Sequence, residues 1–250
     1  MTAGGAGVTG GAGVKRLLLL WDIDGTLIDD GHIGEAVYPL AFERLTGRSA
    51  LHRVITAGRT EPDVMDELFR RHGVSGVEPS RVAAELATQL RRRTAELRTV
   101  GRPLPGAVEA LRALGAQRHV VQSVLTGNLR ANALLKLRLF GLAQFLDLAV
   151  GAYGGDARER AALVQVARRR AAAAYGRAFD ADGTVLIGDT PRDVQAGRTG
   201  GARVIAVASG ASSAAALREA GADAVLAALR DTEAVVRAVQ ALAPGVRSSG

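Results

Sequence analysis

Apolar runs that stop abruptly at small or polar residues recur along the chain: "RLLLLWDI", "HVVQSVLTG", "DLAVGAYG", "GTVLIGDT", "ARVIAVASG" and "ADAVLAAL". Most are apolar at successive positions rather than at every second one, which predicts strands buried on both faces. Between them, apolar residues return at helical spacing in "AVEALRALGA", "RANALLKLRLFGL", "ERAALVQVARRRAAAAYG", "PRDVQAGRTGG" and "AAALREAGA". Alternating strands and helices predict an α/β domain built on a doubly wound parallel sheet. Ligands of such sheets bind at the carboxyl ends of the strands, so the polar tips of these runs are the places to look for chemistry.

One region breaks the alternation. From about Asp29 to Arg102 only helical patterns are seen: "GEAVYPLAFERLTG", "TEPDVMDELFRRHG" and "SRVAAELATQLRRRTAEL". The first two end in glycine, and Thr60 and Ser80 offer caps at the starts of the second and third. "GRPLPG" at Gly101–Gly106 reads as a hinge leading back to the sheet. The expected organisation is a disordered leader at 1–15, a core domain from 16–29 and 103–250, and an all-helical insert at 30–102.

Composition narrows the class. The 250 residues include no cysteine, so no disulfide framework or thiolate metal site is available. No apolar run approaches the roughly 18 residues of a membrane helix, and "MTAGGAGVTGGAGVKR" lacks the apolar core of a signal peptide. A soluble, cytoplasmic protein without a membrane partner is expected. The formal charge of +7 comes from arginine scattered through every helix, lysine occurring only as Lys15 and Lys136. Arg91–Arg93 and Arg168–Arg170 have no interleaved aromatics and read as solvated faces, so no nucleic-acid partner is expected. A basic field of this kind does attract phosphorylated small molecules.

Candidate chemistry gathers at the strand tips. Asp22 and Asp24 follow the first strand, one residue apart and aimed in the same direction. Asp189 ends "TVLIGD", with Asp193 four residues on. If these strands are neighbours, three or four carboxylates converge, an arrangement that a hard divalent cation such as Mg2+ relieves. Each Asp also has a structural alternative. An Asp before Gly-Thr caps a turn, and Thr190, Pro191 and Asp193 have the spacing of a capping box. Thr126 closes a further strand, and Gly127 and Asn128 after it would open a helix with backbone N–H groups facing an anion. Trp21 reads as core packing, Lys136 as a surface residue, and His32, His52, His72 and His119 lack metal-ligand spacing.

Taken together these motifs resemble the haloacid dehalogenase-like hydrolase superfamily. Asp22–Leu27 match Asp-x-Asp-Gly-Thr-Leu, Thr126 matches the strand ending in Thr or Ser, and Gly188–Asp193 match Gly-Asp-x-x-x-Asp. The resemblance implies a Rossmann-like core with an inserted helical cap, as in phosphoglycolate phosphatases and beta-phosphoglucomutases. The family's third motif is a lysine, and no lysine follows Lys136. Arg160, or Arg158 close behind it, stands in the expected region, and a guanidinium can hold phosphate oxygens and offset carboxylates.

The function this implies is a Mg2+-dependent phosphatase acting on a small-molecule phosphate monoester through an aspartyl-phosphate. Asp22 would be the nucleophile and Asp24 the acid and base, with metal held by Asp22, the Asp24 carbonyl, Asp189 and Asp193. Thr126, Gly127, Gly25, Thr26 and Arg160 would bind the phosphate, and Arg59, in the insert, the substrate. A sugar-phosphate mutase on the same scaffold, or a non-catalytic binder of phosphate compounds, are the alternatives. Substrate identity and oligomeric state are left open.

Overall fold

All five side chains of Leu17–Trp21 are buried, because this strand has a neighbour on each edge and helices on each face. The computed structural model describes residues 17–52 and 55–243; the expected leader lies outside them. In chain order the elements are β1 (Leu17–Trp21), β2 (Ile28–Asp29), α1 (Ile33–Thr46), α2 (Glu61–Arg71), α3 (Pro79–Arg92), α4 (Thr94–Val100) and β3 (Arg102–Pro103). Then follow α5 (Ala107–Gly115), β4 (Val120–Val124), α6 (Arg130–Leu139), a single 3-10 turn at Ala143–Phe145 and α7 (Arg160–Tyr175). The chain continues through β5 (Thr184–Gly188), α8 (Pro191–Gly200), β6 (Arg203–Val207), α9 (Ala214–Glu219), β7 (Ala224–Leu226) and α10 (Thr232–Leu242).

Five strands form one parallel sheet in the order β4-β1-β5-β6-β7, the α/β doubly wound architecture expected. Leu17, Leu19 and Trp21 face α5 and α10, while Leu18 and Leu20 face α7 and α8. The sheet therefore separates two apolar layers, which is why β1 has no polar position. The chain places β4 on one side of β1 and β5 on the other. The direction of winding reverses there, so a crevice opens beyond the carboxyl ends of β1, β4 and β5.

Helices α1 to α4 enclose an apolar cluster of their own, including Val37, Phe42, Met65, Leu68, Leu86 and Leu97. Leu129, Leu135, Leu139 and Phe140, on and beside α6, pack against it. The apolar cluster of the insert thus packs on one core helix, and polar contacts such as Arg192 to the Ala57 carbonyl at 2.9 Å tie the insert to the core elsewhere. Its two connections to the core pair with each other, Ile28 with Pro103 and Asp29 with Arg102, forming a two-stranded ribbon where only a hinge was expected.

Four expectations at the level of elements change. "DLAVGAYG" is no strand. Its Ala152 makes one bridge to Leu125, extending β4 by a single rung, and turns at Asp147–Val150 and Tyr153–Asp156 bend the chain away on either side. The third insert helix breaks into α3 and α4, and its cap position is Glu78 rather than Ser80, which lies inside α3. Helix α6 begins at Arg130, so Thr126–Asn128 form a turn rather than its first residues. Helix α10 was missed, although Val235 and Val239 lie four apart on its buried side.

Because Leu19 is wholly buried in the central strand, Leu19→Ala is expected to lower unfolding stability by about 2–5 kcal/mol. Urea unfolding measures this, and a loss below about 1 kcal/mol would show a core more plastic than this packing implies.

Candidate active site

The tips of β1 and β5 bring the expected carboxylates together beside Thr126 at the tip of β4, but the carboxylates divide into two groups. In the first, Asp22, Asp189 and Asp193 are all buried, and each offers an oxygen within 4.8 Å of the others. Thr26 donates its hydroxyl to Asp189 Oδ1 at 3.0 Å. Asp193 forms the capping box, its Oδ2 accepting from the Thr190 N–H at 3.0 Å and the Thr190 hydroxyl at 2.6 Å. The structural alternative for Asp193 and its place in the acidic cluster are thus both real.

Arg160 is the only cation inside this group among the described residues. Its Nη2 lies 3.0 Å from Asp22 Oδ2 and 2.5 Å from Asp193 Oδ1, and its buried Nε has no partner. Arg158 instead lies at the surface, 3.8 Å from Asp66. The two arginines differ because of where α7 starts. Arg160 is its first residue and is directed at the strand tips, whereas Arg158 precedes the helix.

One guanidinium does not balance three carboxylates. Burial, with Asp193 and Asp24 adding repulsion against the pull of Arg160, pushes Asp22 up to about 7. Burial, with repulsion from Asp193 and Asp22, pushes Asp189 up to about 8. Gly25 at φ 80 and Gly210 both press so closely on Asp189 that a Cβ at either would run into its carboxylate. A clustered, buried, oxygen-only and under-compensated donor set fits a hard divalent cation.

The second group forms around Lys136, and here an expectation is overturned. Lys136 is not a surface residue; its side chain is 2% exposed. Its Nζ donates to Asp24 Oδ1 at 2.7 Å, Asp24 Oδ2 at 2.8 Å and Asp30 Oδ2 at 2.9 Å. Asn128 also donates to Asp24 Oδ2 at 2.7 Å and to the Thr126 hydroxyl at 2.9 Å. Both Asp24 oxygens are therefore occupied by donors outside the Asp22 cluster. Burial alone would push Asp30 up, but the Lys136 ammonium and the Gly34 and His32 amides hold it below the usual carboxylate range.

Asp22, Asp24, Arg59, Thr126, Gly127, Arg160 and Asp189 all line one cavity of about 170 Å3, to which the insert contributes Tyr38 and Thr56–Arg59. Gly25 and Thr26 stand behind it: the Gly25 N–H goes to the Ile28 carbonyl at 2.9 Å and the Thr26 hydroxyl to Asp189. Arg59 is on the wall, but its guanidinium is held by Asp63 and Glu67 of α2. Its carbonyl lies against Gly127, leaving no room there for a Cβ.

Glu61 was not anticipated. It is buried at the start of α2, and it accepts from the Leu129 N–H at 2.9 Å and from Asn132 Nδ2 at 3.0 and 2.9 Å. The insert thereby supplies the anion at the start of α6, a place expected for a ligand. Burial, only partly offset by these donors and by Lys136, pushes Glu61 up to about 7.

Comparison with known proteins bears on the family and the fold. The profile described as haloacid dehalogenase-like hydrolase matches residues 19–198. The pyrophosphatase PpaX of Halalkalibacterium halodurans is 25% identical over 197 residues, covering 76% of this chain and 82% of that protein. A hydrolase from Pseudomonas syringae superposes with a TM-score of 0.66 at 21% identity, over 89% of this chain and 98% of the other. A predicted phosphoglycolate phosphatase from Haemophilus somnus gives 0.61 at 17% identity, over 88% and 97%. These structural likenesses speak to the fold.

Two outcomes follow from the charges. Lys136→Met leaves Asp24 and Asp30 facing each other without their cation. The expected cost is about 2–3 kcal/mol in chemical unfolding, less than for a fully buried pair because Asp24 is partly exposed; an unchanged midpoint would contradict the pairing. Asp22 and Asp189 have folded pKa values raised above 3.8 to about 7 and about 8, so the metal-free fold binds more protons than the unfolded chain between those limits. Stability without metal should fall as pH rises from about 4 to 8. Mg2+ should raise the melting temperature more at pH 8 than at pH 5, and the reverse order would contradict the cluster's charge state.

Proposed function

Since the chain belongs to the haloacid dehalogenase-like hydrolases and is an enzyme of that type, we propose that it is a Mg2+-dependent phosphatase of small-molecule phosphate monoesters. The observation that carries the reading is the bridge from Arg160 to Asp22 and Asp193 beside the under-compensated Asp189. It leaves a buried carboxylate nucleophile flanked by a guanidinium and by cation-binding oxygens. The names of the pyrophosphatase and phosphoglycolate phosphatase relatives support the same chemistry. We also read residues 30–102 as a cap domain, with the core formed by 16–29 and 103–250.

In this mechanism Arg160, the Thr126 hydroxyl and the Gly127 backbone hold the phosphoryl oxygens in front of Asp22. An Asp22 oxygen attacks phosphorus; the bond to the leaving oxygen breaks, and Asp24, which enters this step protonated, gives that oxygen its proton and becomes the carboxylate that Lys136 pairs with. Water then attacks the aspartyl-phosphate, Asp24 takes the water's proton, and Asp22 is restored as phosphate leaves. Lys136 and Asn128 orient Asp24 between the two steps. The metal ligands would be Asp22, the Asp24 carbonyl and Asp189, with Asp193 direct or through water. A bound Mg2+ would supply positive charge to the transferring phosphoryl group and relieve carboxylate repulsion. The cap excludes bulk water, which otherwise competes for the phosphoryl oxygens.

Phosphate release from p-nitrophenyl phosphate tests the reading. Activity should require Mg2+, vanish with EDTA, and fall by at least about 1,000-fold in Asp22→Asn, the scale of losing a covalent nucleophile. Undiminished turnover in either condition would overturn it.

A further inference from the structure

The cavity has two ends of different character, one lined from the core and one from the insert. Asp22, Thr126, Gly127, Arg160 and Asp189 line it from the core; Asp30, Glu35, Tyr38, Thr56 and Glu61 line it from the insert. A leaving group beyond the phosphate must lie against this second set. Resting on the phosphatase reading, we infer that the leaving group is a short alcohol without negative charge: esters of small hydroxylated or ammonium-bearing alcohols are substrates, and esters bearing a carboxylate or second phosphate are poor ones.

The argument rests on where each cation spends its donors. Lys136 is the cation within the second end, and its three N–H groups meet three carboxylate oxygens, two on Asp24 and one on Asp30. Arg59 directs Nε and Nη2 to the carboxylate and carbonyl of Asp63, and Nη1 to Glu67 and the Ile55 carbonyl. His32 is exposed and faces Glu35 at 3.6 Å. Among the described residues, no cation on the wall is left over for a second anionic group.

The acceptors, by contrast, are in excess. Asp24 and Asp30 pair with Lys136 and Glu61 feels its charge, while the more exposed Glu35 is met, among the described residues, only by the Thr56 hydroxyl and His32. The Tyr38 hydroxyl lies in the field of all four. Burial raises its pKa most, and repulsion from Glu61, Asp24, Asp30 and Glu35 raises it further. A carboxylate or phosphate brought to this end would be desolvated among like charges. A hydroxyl or ammonium finds acceptors there instead. Size acts in the same direction, because about 170 Å3 is small beside the roughly 300–1,000 Å3 of pockets for drug-sized ligands. The same wall opposes a mutase, which must seat a second phosphate on its substrate.

The test is a comparison of kcat/KM, with Mg2+ present, for glycerol phosphate, phosphoethanolamine, phosphoglycolate and pyrophosphate, with p-nitrophenyl phosphate as reporter. The first two should exceed the third and fourth by at least about tenfold, equivalent to about 1.4 kcal/mol. Glu35→Lys, at a half-exposed position on the rim, should narrow that gap by raising turnover of phosphoglycolate. Equal or better turnover of phosphoglycolate or pyrophosphate by the native protein overturns the inference while leaving the phosphatase reading intact. An unchanged gap in Glu35→Lys also overturns it. Absence of release from all five compounds removes the phosphatase reading and this inference together.

Discussion

Like-charge repulsion among Asp22, Asp189 and Asp193, buried together with one guanidinium between them, is the constraint around which this protein is organised. Left in an apolar interior, three such carboxylates would take up protons or come apart. They stay together because each is fixed by backbone. Asp22 and Asp189 extend adjacent parallel strands in register, Trp21 pairing with Ile187. Asp193 is locked by the capping box of α8. The sheet supplies the rigidity, Arg160 part of the neutralisation, and an unfilled demand for positive charge remains at the crevice. In the proposed mechanism that demand is met by Mg2+ and makes Asp22 a nucleophile.

The insert follows the same logic on a second set of charges. Lys136 joins Asp24, on the core, to Asp30, at the entry to the insert, and Glu61 joins α2 to the first turn of α6. Apolar packing of the insert on Leu135, Leu139 and Phe140 surrounds these polar ties. The seating of the insert therefore depends on largely buried ion pairs and hydrogen bonds, where removing one partner costs more than the pair contributes.

Much of this was legible from residue order. The apolar runs locate all five main strands, because strands covered on both faces are apolar at most positions. The tips of three of them name Asp22, Thr126 and Asp189. Thr190 and Pro191 announce the start of α8 through local chemistry alone. The failures were of another kind. "DLAVGAYG" has strand composition, yet its pairing ends after one rung, which only the neighbouring chain decides. Helix α6 reads as amphipathic, but its buried residues are Asn132, Ala133, Lys136 and Leu137, so a polar pair points inward at partners more than 65 residues away in the chain. A clue was present: in a chain that uses arginine almost throughout, Lys136 is one of two lysines. Glu61 gave no such signal, since an acidic residue in the first turn of a helix is ordinary there.

The most direct test of the central claim is to quench the native protein in acid during turnover of p-nitrophenyl phosphate with Mg2+, then map its peptides by mass spectrometry. One phosphoryl group on the peptide containing Asp22, lost on treatment with hydroxylamine and missing from Asp22→Asn, is the predicted result. A phosphoryl group on another residue, or steady turnover with Asp22 unmodified at every quench time, would contradict the account.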